Sequence, residues 1–310
     1  MNVHAARQFL DGRIGIAIGY LCVVLIWGTT WYGVHTQVNG TSPHVAVALR
    51  LGTASLVFFA IALAQRLPLT LRRDQVPPVV IQGTIYCGLN YVAIYVASQY
   101  LTSGVIAVLF SMTVPFNIVA ERVMHGTRFT VYVVLAALVG MAGIALVFSG
   151  ELERALHAQN VLFAGALALL SAAMVAVGNV IAARLAATDL GGIRQNAYTL
   201  AAGTVSILLY GAVSGSPWTL EVTPTWLAGY AYLVSAGTVL AFAIYIWILP
   251  AIGSVAAAYI VVLSPAVAIG ISAALENLTL GPSTLAGVAL LLVGQSLLVT
   301  SRTRRAPARG

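Results

Sequence analysis

Residues 103–115, SGVIAVLFSMTVP, and residues 253–265, GSVAAAYIVVLSP, are two copies of one pattern that stand 150 positions apart. Each copy begins with small residues and ends on a proline within an apolar stretch. At the same offset, residues 93–95 and 243–245 both read AIY, and Gly28 matches Gly178. Apolar sequences share many single residues by chance. A shared proline and a shared tripeptide in one register instead predict a duplicated half.

The composition predicts an all-α integral membrane protein. The chain is 60% hydrophobic and 7% charged, with a mean hydropathy of +0.96, whereas soluble domains carry about 25% charged residues. A membrane-spanning helix needs roughly 20 mostly apolar residues. Ten segments meet this requirement: 14–34, 44–65, 76–97, 100–121, 129–149, 161–183, 195–213, 225–249, 253–275 and 282–301. The short connections leave no room for a soluble domain.

The residue types exclude several chemistries. All 15 basic residues are arginine, so the chain lacks the lysine of a P-loop and of a Schiff base. The five histidines have no metal-ligand spacing. No segment carries a nucleophile, an acid–base pair or a metal cluster at mid-membrane depth. We therefore expect no enzyme activity, no cofactor and no bound metal.

The arginines predict the orientation. Thirteen of them fall on one side of the ten-segment topology, only Arg154 falls on the other side, and Arg50 lies inside the second segment. The positive-inside rule then puts both termini in the cytoplasm of a bacterial inner membrane. The net charge of +7 is a topogenic signal with affinity for membrane lipids, and no nucleic acid is expected as a partner.

The repeat and the topology together predict two inverted halves. Each half contains five segments, an odd number, so the first segment runs outward and the sixth runs inward. The predicted units are residues 1–150, residues 151–301 and a basic tail, 302–310. Inverted repeats of this kind are typical of secondary transporters, which bind their substrate between the halves near the midplane.

The chain resembles the EamA-type exporters of the drug/metabolite transporter superfamily. The resemblance is carried by IWGTTW (26–31), ALRL (48–51), LNY (89–91), SGVIAVLF (103–110) into Pro115, LSP (263–265) through Glu276, and Gly287 to Gly294. It implies export of amino acids or other small metabolites. At the position of Glu276, the first half has Gly126 instead of the glutamate common in the family. A membrane binding or regulatory protein that moves no solute is the alternative.

Aromatic and polar stripes are candidates for the substrate site. They comprise Trp27 and Trp31; Gln82, Tyr86 and Asn90; Thr238, Phe242 and Tyr245; and, at similar depth, Ser111, Asn179 and Ser264. Spacings of three or four residues put each stripe on one helix face. The alternative is helix-to-helix hydrogen bonding, which Asn, Ser and Thr commonly form in bilayers.

The remaining functional hypotheses concern prolines, glycines and charges. Pro115 and Pro265 are either static kinks or matched hinges for gating. Arg50 either snorkels or caps a helix, or it provides the counter-charge for a substrate carboxylate. Glu121 and Glu276 fall at segment ends, where we expect solvated roles, so carboxylate-based proton exchange is not expected. Glycine pairs such as Gly140 and Gly143 allow close helix packing, and the chain is either a monomer or a homodimer.

Overall fold

The computed structural model describes residues 12–126, 131–154 and 158–303, and every regular element in these ranges is helical. The helices are α1 (Arg13–His35), α2 (Pro43–Ala64), α3 (Val76–Ala97), α4a (Ser103–Phe110), α4b (Thr113–His125), α5 (Val131–Arg154), α6 (Ala158–Ala186), α7 (Gly192–Ser214), α8 (Pro224–Val234), α9 (Ala241–Leu275) and α10 (Pro282–Thr303). The predicted all-α fold is therefore confirmed. The basic tail from residue 304 onward lies outside the described residues.

Proline and glycine set several helix boundaries. Proline begins α2, α8 and α10, at the helix start, where its missing N–H costs nothing. Gly126 ends α4b in the left-handed conformation, with φ +70°, and Gly215 ends α7 in the same way. Only glycine adopts this conformation without strain. Local geometry thus accounts for a glycine at position 126.

Seven described helical stretches are long and apolar enough to cross a membrane. Three shorter apolar helices, Val134–Val147, Tyr259–Leu275 and Pro282–Leu297, lie within the predicted segments 129–149, 253–275 and 282–301. Large apolar side chains such as Val123 and Val213 are exposed, as expected of surface that faces lipid. The count of ten spans stays a prediction.

α9 departs from the predicted boundaries because its helical hydrogen bonding runs through residues 250–252. The Trp27 and Phe242 ring centroids are 5.7 Å apart, while the neighbouring Gly28 lies against Val267, 25 residues beyond Phe242. A straight helix would separate those two residues by about 37 Å, at 1.5 Å per residue. The chain therefore reverses direction between a first leg, residues 241–252, and a second leg, Tyr259–Leu275.

Most of the large helix contacts join the first half of the sequence to the second. α1 packs on both legs of α9 and on α4a, while α6 packs on α3 and on both parts of α4. α2 pairs with α7, and α5 pairs with α10. A Cβ on Gly143 would lie 2.5 Å from the Gly287 carbonyl oxygen, so these glycines are used within the chain. Gly143 therefore serves close packing within the chain, whereas nothing lies within 4 Å of a Cβ on Gly140.

The connections sort into two ends of the bundle. At the first end, Gln75 donates to Asp189 over 2.8 Å and Arg184 donates to the Met124 carbonyl. The Arg72 guanidinium, which donates hydrogen bonds to Asp74, holds the pKa of that carboxyl below its ordinary value. We call this the arginine end, and it joins the connections that the sequence assigns to the cytoplasm.

The opposite end of the bundle joins the connections that the sequence assigns to the outside. Ser42 Oγ lies 2.7 Å from Thr219 Oγ1, and the backbone N–H of Glu221 donates to Thr41. Ser103 and Glu276 also meet here. We call this the outer end.

Candidate functional site

Two groups of aromatic rings, together called the aromatic cluster, lie along α1: one is shared with the first leg of α9 and the other with α4a. Trp27 contacts Phe242 edge-to-face and Tyr245 at a centroid distance of 5.4 Å. One turn further along α1, Trp31 contacts Phe110 at 4.9 Å. All five aromatic residues are partly exposed. The structure thus brings together four predicted site residues and adds Phe110.

Two π-helical segments interrupt the helices that carry the predicted stripes. Gly83–Leu89 lies within α3, and Ser235–Leu240 joins α8 to α9. Shifting 83–89 by 150 positions gives 233–239, which overlaps the second segment. π-helical turns are rare and occur frequently at functional sites. They contain Tyr86 and Thr238, and their matched positions add a structural likeness between the halves.

Several predicted site residues form bonds between or within helices. Asn90 is buried, accepts a hydrogen bond from Ser171 of α6 and donates to the Tyr86 carbonyl. Gln82 accepts from Gln195 of α7 over 3.3 Å. The polar part of the α3 stripe therefore bonds neighbouring helices, which is the alternative that the sequence left open.

The other predicted residues of the α3, α4, α6 and α9 stripes also form hydrogen bonds or close contacts within the protein. Asn179 donates to Asn117 of α4b over 3.3 Å. Ser111 Oγ and Thr238 Oγ1 donate to backbone carbonyls of their own helices. The Tyr86 side chain lies against Gly178 of α6, and Ser264 is buried with its carbonyl facing Gly28.

The two matched prolines lie in different local structures. α4 is interrupted at Ser111 and Met112, just before Pro115. Because proline has no N–H, the carbonyl of Ser111 cannot accept the bond from residue 115. It accepts instead from the Val114 N–H at 3.1 Å and from Gln295 of α10 at 3.3 Å. The helix around Pro265 continues without a break.

The break in α4 coincides with a change of packing partner. α4a lies against the second leg of α9, since a Cβ on Gly104 would be 2.9 Å from the Cα of Ile269. α4b packs on α6, through Phe116 and Ala120 against Ala176 and Val180. Both parts of α4 therefore contact α6, while the main contacts with α1 and α9 belong to α4a.

Arg50 is a buried cation without an acidic partner. The residue is only 5% exposed, and its guanidinium lies 5.0 Å from the centre of the Tyr91 ring. In the described part of the chain, its Nε atom has no hydrogen-bond partner and no carboxylate lies within 4.0 Å. The guanidinium does not snorkel to water. A buried charge of this kind is costly unless a counter-ion completes it.

Glu276 corrects the expectation of a solvated role. Its side chain is only 4% exposed. It accepts hydrogen bonds from the backbone N–H of Ser103 at 3.0 Å and from Ser103 Oγ at 2.5 Å. His35 Nδ1 lies 3.3 Å away, without hydrogen-bond alignment. Glu121 is half-buried at the arginine end of α4b.

Sequence reasoning missed Phe110, Asn117, Ser171 and Gln295 as members of these contacts. Asn117 follows Pro115 by two residues, and that position could have drawn attention to it. Ser171 and Gln295 carry no such signal, because only the three-dimensional packing shows that they meet α3 and α4. Among the described residues, no group of three His, Cys, Asp or Glu side chains could hold a metal ion.

Comparisons with known proteins identify transporters as relatives. Residues 14–149 match the model of the EamA-like transporter family. The uncharacterized transporter YoaV of Bacillus subtilis (strain 168) is 25% identical over 241 residues, which cover 76% of this chain and 80% of that protein.

A solved structure described only as "Crystal structure of protein" shares the fold. It superposes with a TM-score of 0.66 at 16% identity, over 95% of this chain and all of the other. At that identity the match concerns the fold alone.

Proposed function

We propose that this chain, which belongs to the EamA-type membrane transporters of the drug/metabolite transporter superfamily, exports amino acids or related small metabolites by alternating access. It does so across a bacterial inner membrane with both termini in the cytoplasm. The aromatic cluster around Trp27 and Trp31 is the observation that carries the proposal. Partly exposed rings from three helices provide the mostly apolar surface that small organic solutes bind.

The substrate site in this proposal extends from the aromatic cluster toward Arg50. The rings of Trp27, Trp31, Phe242 and Tyr245 accept the apolar part of the solute. Arg50 provides the counter-charge for its carboxylate, because a guanidinium can bind a carboxylate with two parallel hydrogen bonds. The missing acidic partner of Arg50 supports this role. Asn90 and Gln82 do not contact the solute in this proposal; their hydrogen bonds fix α3 against α6 and α7.

The moving parts in this proposal are two inverted five-helix repeats, 1–150 and 151–301, within ten spans. The exchange of packing partners between α1 and α6 supports the repeat, as do the matched π-helical segments. Pro115 lies at the point where α4 changes its neighbours, so the hinge there separates α4a, which stays with α1 and α9, from α4b. Pro265 is the matched position on α9.

Competition between an amino acid and its amide tests the carboxylate site. In proteoliposomes, the unlabelled acid should compete with a labelled amino acid at least about tenfold better than the corresponding amide, since each hydrogen bond between charged groups contributes about tenfold. Arg50→Gln should remove this preference for the acid, and Arg50→Lys should retain part of it. The control is Arg73→Gln, which replaces an exposed arginine at the arginine end and should keep the whole preference. An Arg50→Gln protein that transports with unchanged preference would exclude Arg50 from the site.

A further inference from the structure

Glu276 joins three helices at the outer end of the bundle. It lies directly after the second leg of α9 and accepts two hydrogen bonds from Ser103, the first residue of α4a. His35, the last residue of α1, lies 3.3 Å from the same carboxylate. α1, α4 and α9 are the helices that carry the aromatic cluster, so this contact lies at the outer mouth of the proposed substrate site.

The carboxylate acts as the cap of α4a. Thr102 is in the N-cap position but makes no side-chain capping bond, and its Oγ1 atom has no partner in the described part of the chain. Glu276 caps the helix in place of Thr102, because its carboxylate accepts a hydrogen bond from the Ser103 N–H at the positive end of the helix dipole. An anion from another helix is thus the group that satisfies this helix start, so separating α4a from α9 leaves the N–H and the carboxylate unpaired.

The first half lacks the side chain that makes this contact. The position that corresponds to Glu276 in the first half is Gly126, 150 residues earlier, which ends α4b through its own backbone. Glycine has no carboxylate, so the repeat does not duplicate the bond at this position. A contact that is made only while the outer end is closed biases an alternating-access cycle toward that state.

We propose that Glu276 is the latch of the outer gate. Its bonds to Ser103 hold α4a against the second leg of α9, and opening toward the outside requires that they break. This inference rests on the proposed alternating access and names the contact that regulates it.

Cysteine accessibility tests the latch without measuring transport. Phe110→Cys, in a background where Cys22 and Cys87 are replaced by alanine, reports access to the aromatic cluster. A membrane-impermeant maleimide is added from the outside to cells and from the inside to inverted vesicles. Glu276→Gln removes the charge with little change of shape. Glu221→Gln, at an exposed carboxylate of the same end, is the matched control.

Glu276→Gln should raise the outside labelling rate at least about tenfold and lower the inside rate, because a hydrogen bond to a charged group shifts an equilibrium by about that factor. Ser103→Ala keeps the backbone bond and should cause a smaller rise, and Glu221→Gln should stay within about twofold of the parent. An unchanged outside rate in Glu276→Gln, or an equal rise in Glu221→Gln, would overturn the latch.

A rise from both sides would indicate unfolding. In that case the Ser103→Ala variant distinguishes the two explanations, since it leaves the carboxylate in place. A higher outside labelling rate together with a lower inside rate in this variant supports the latch, and unchanged rates refute it. Labelling that responds as expected in a protein without flux would refute the proposed transport and leave the latch intact.

Discussion

Gly28→Ala should separate α1 from the second leg of α9. A methyl group at this position would lie 2.5 Å from the Val267 Cβ and 3.1 Å from the Ser264 carbonyl oxygen, well below ordinary contact. Overpacking of this kind costs about 1–3 kcal/mol, whereas replacing a helical glycine with alanine gains about 0.5–1 kcal/mol. The clash outweighs the gain in helix propensity because rotating the Val267 side chain moves its Cγ1 but neither its Cβ nor the Ser264 backbone oxygen.

Gly270→Ala is the matched control on the same pair of helices. Nothing lies within 4 Å of a Cβ at Gly270, so this variant keeps only the gain in helix propensity. Equilibrium unfolding in mixed detergent micelles should therefore show Gly28→Ala less stable than Gly270→Ala by about 2 kcal/mol. In a double-mutant cycle, Gly28→Ala should cost less in a Val267→Gly background than in the parent protein, because the Cβ that it would meet is gone.

Equal stability of the two single variants would refute this reasoning. It would mean that Gly28 does not touch Val267 and that the second leg of α9 does not return along α1. The inferred reversal of α9 and the placement of the aromatic cluster between α1 and α9 would both lose their support.

Two further predictions concern gating and topology. Pro115→Ala supplies the residue 115 N–H that can bond the Ser111 carbonyl, and this should straighten α4. In flux assays the maximal rate should therefore fall more than the apparent affinity. Pro265→Ala changes a helix that is already continuous and should have the smaller effect. Equal losses in the two variants would show that the break in α4 does not determine the rate. Single cysteines at positions 72 and 151 should be labelled from opposite sides of the membrane in a cysteine-free background, and labelling from one side would contradict the ten-span topology.

Hydropathy and arginine placement predicted most helix positions closely. Segments 14–34 and 44–65 differ from α1 and α2 by one residue at each end, because lipid thickness fixes the length of an apolar helix. The break in α4 and the π-helical segments were not predicted. A proline indicates that one helical hydrogen bond is lost but not at which residues the helix breaks. The Ser111 carbonyl at the break accepts a hydrogen bond from Gln295, which belongs to another helix and could not be identified from the local sequence.

The candidate site was predictable only in part. The spacing of Trp27 and Trp31 placed both rings on one face, and the contacts with Phe242, Tyr245 and Phe110 agree with that placement. Spacing could not tell whether Asn90 faces a cavity or another helix, because the outcome depends on Ser171, which is 81 residues away. Glu276 was misjudged for the same reason. Its position at a helix end said nothing about the unsatisfied start of α4a beside it.

Flux of labelled amino acids through purified protein in proteoliposomes tests the central claim most directly. The account predicts saturable, substrate-dependent flux that falls in Trp27→Ala, with apparent affinity changed more than maximal rate because the aromatic cluster binds the solute. Gly270→Ala should behave as the parent protein. Binding of amino acids or related metabolites without any flux, across a broad panel, would contradict the account and favour a membrane binding protein.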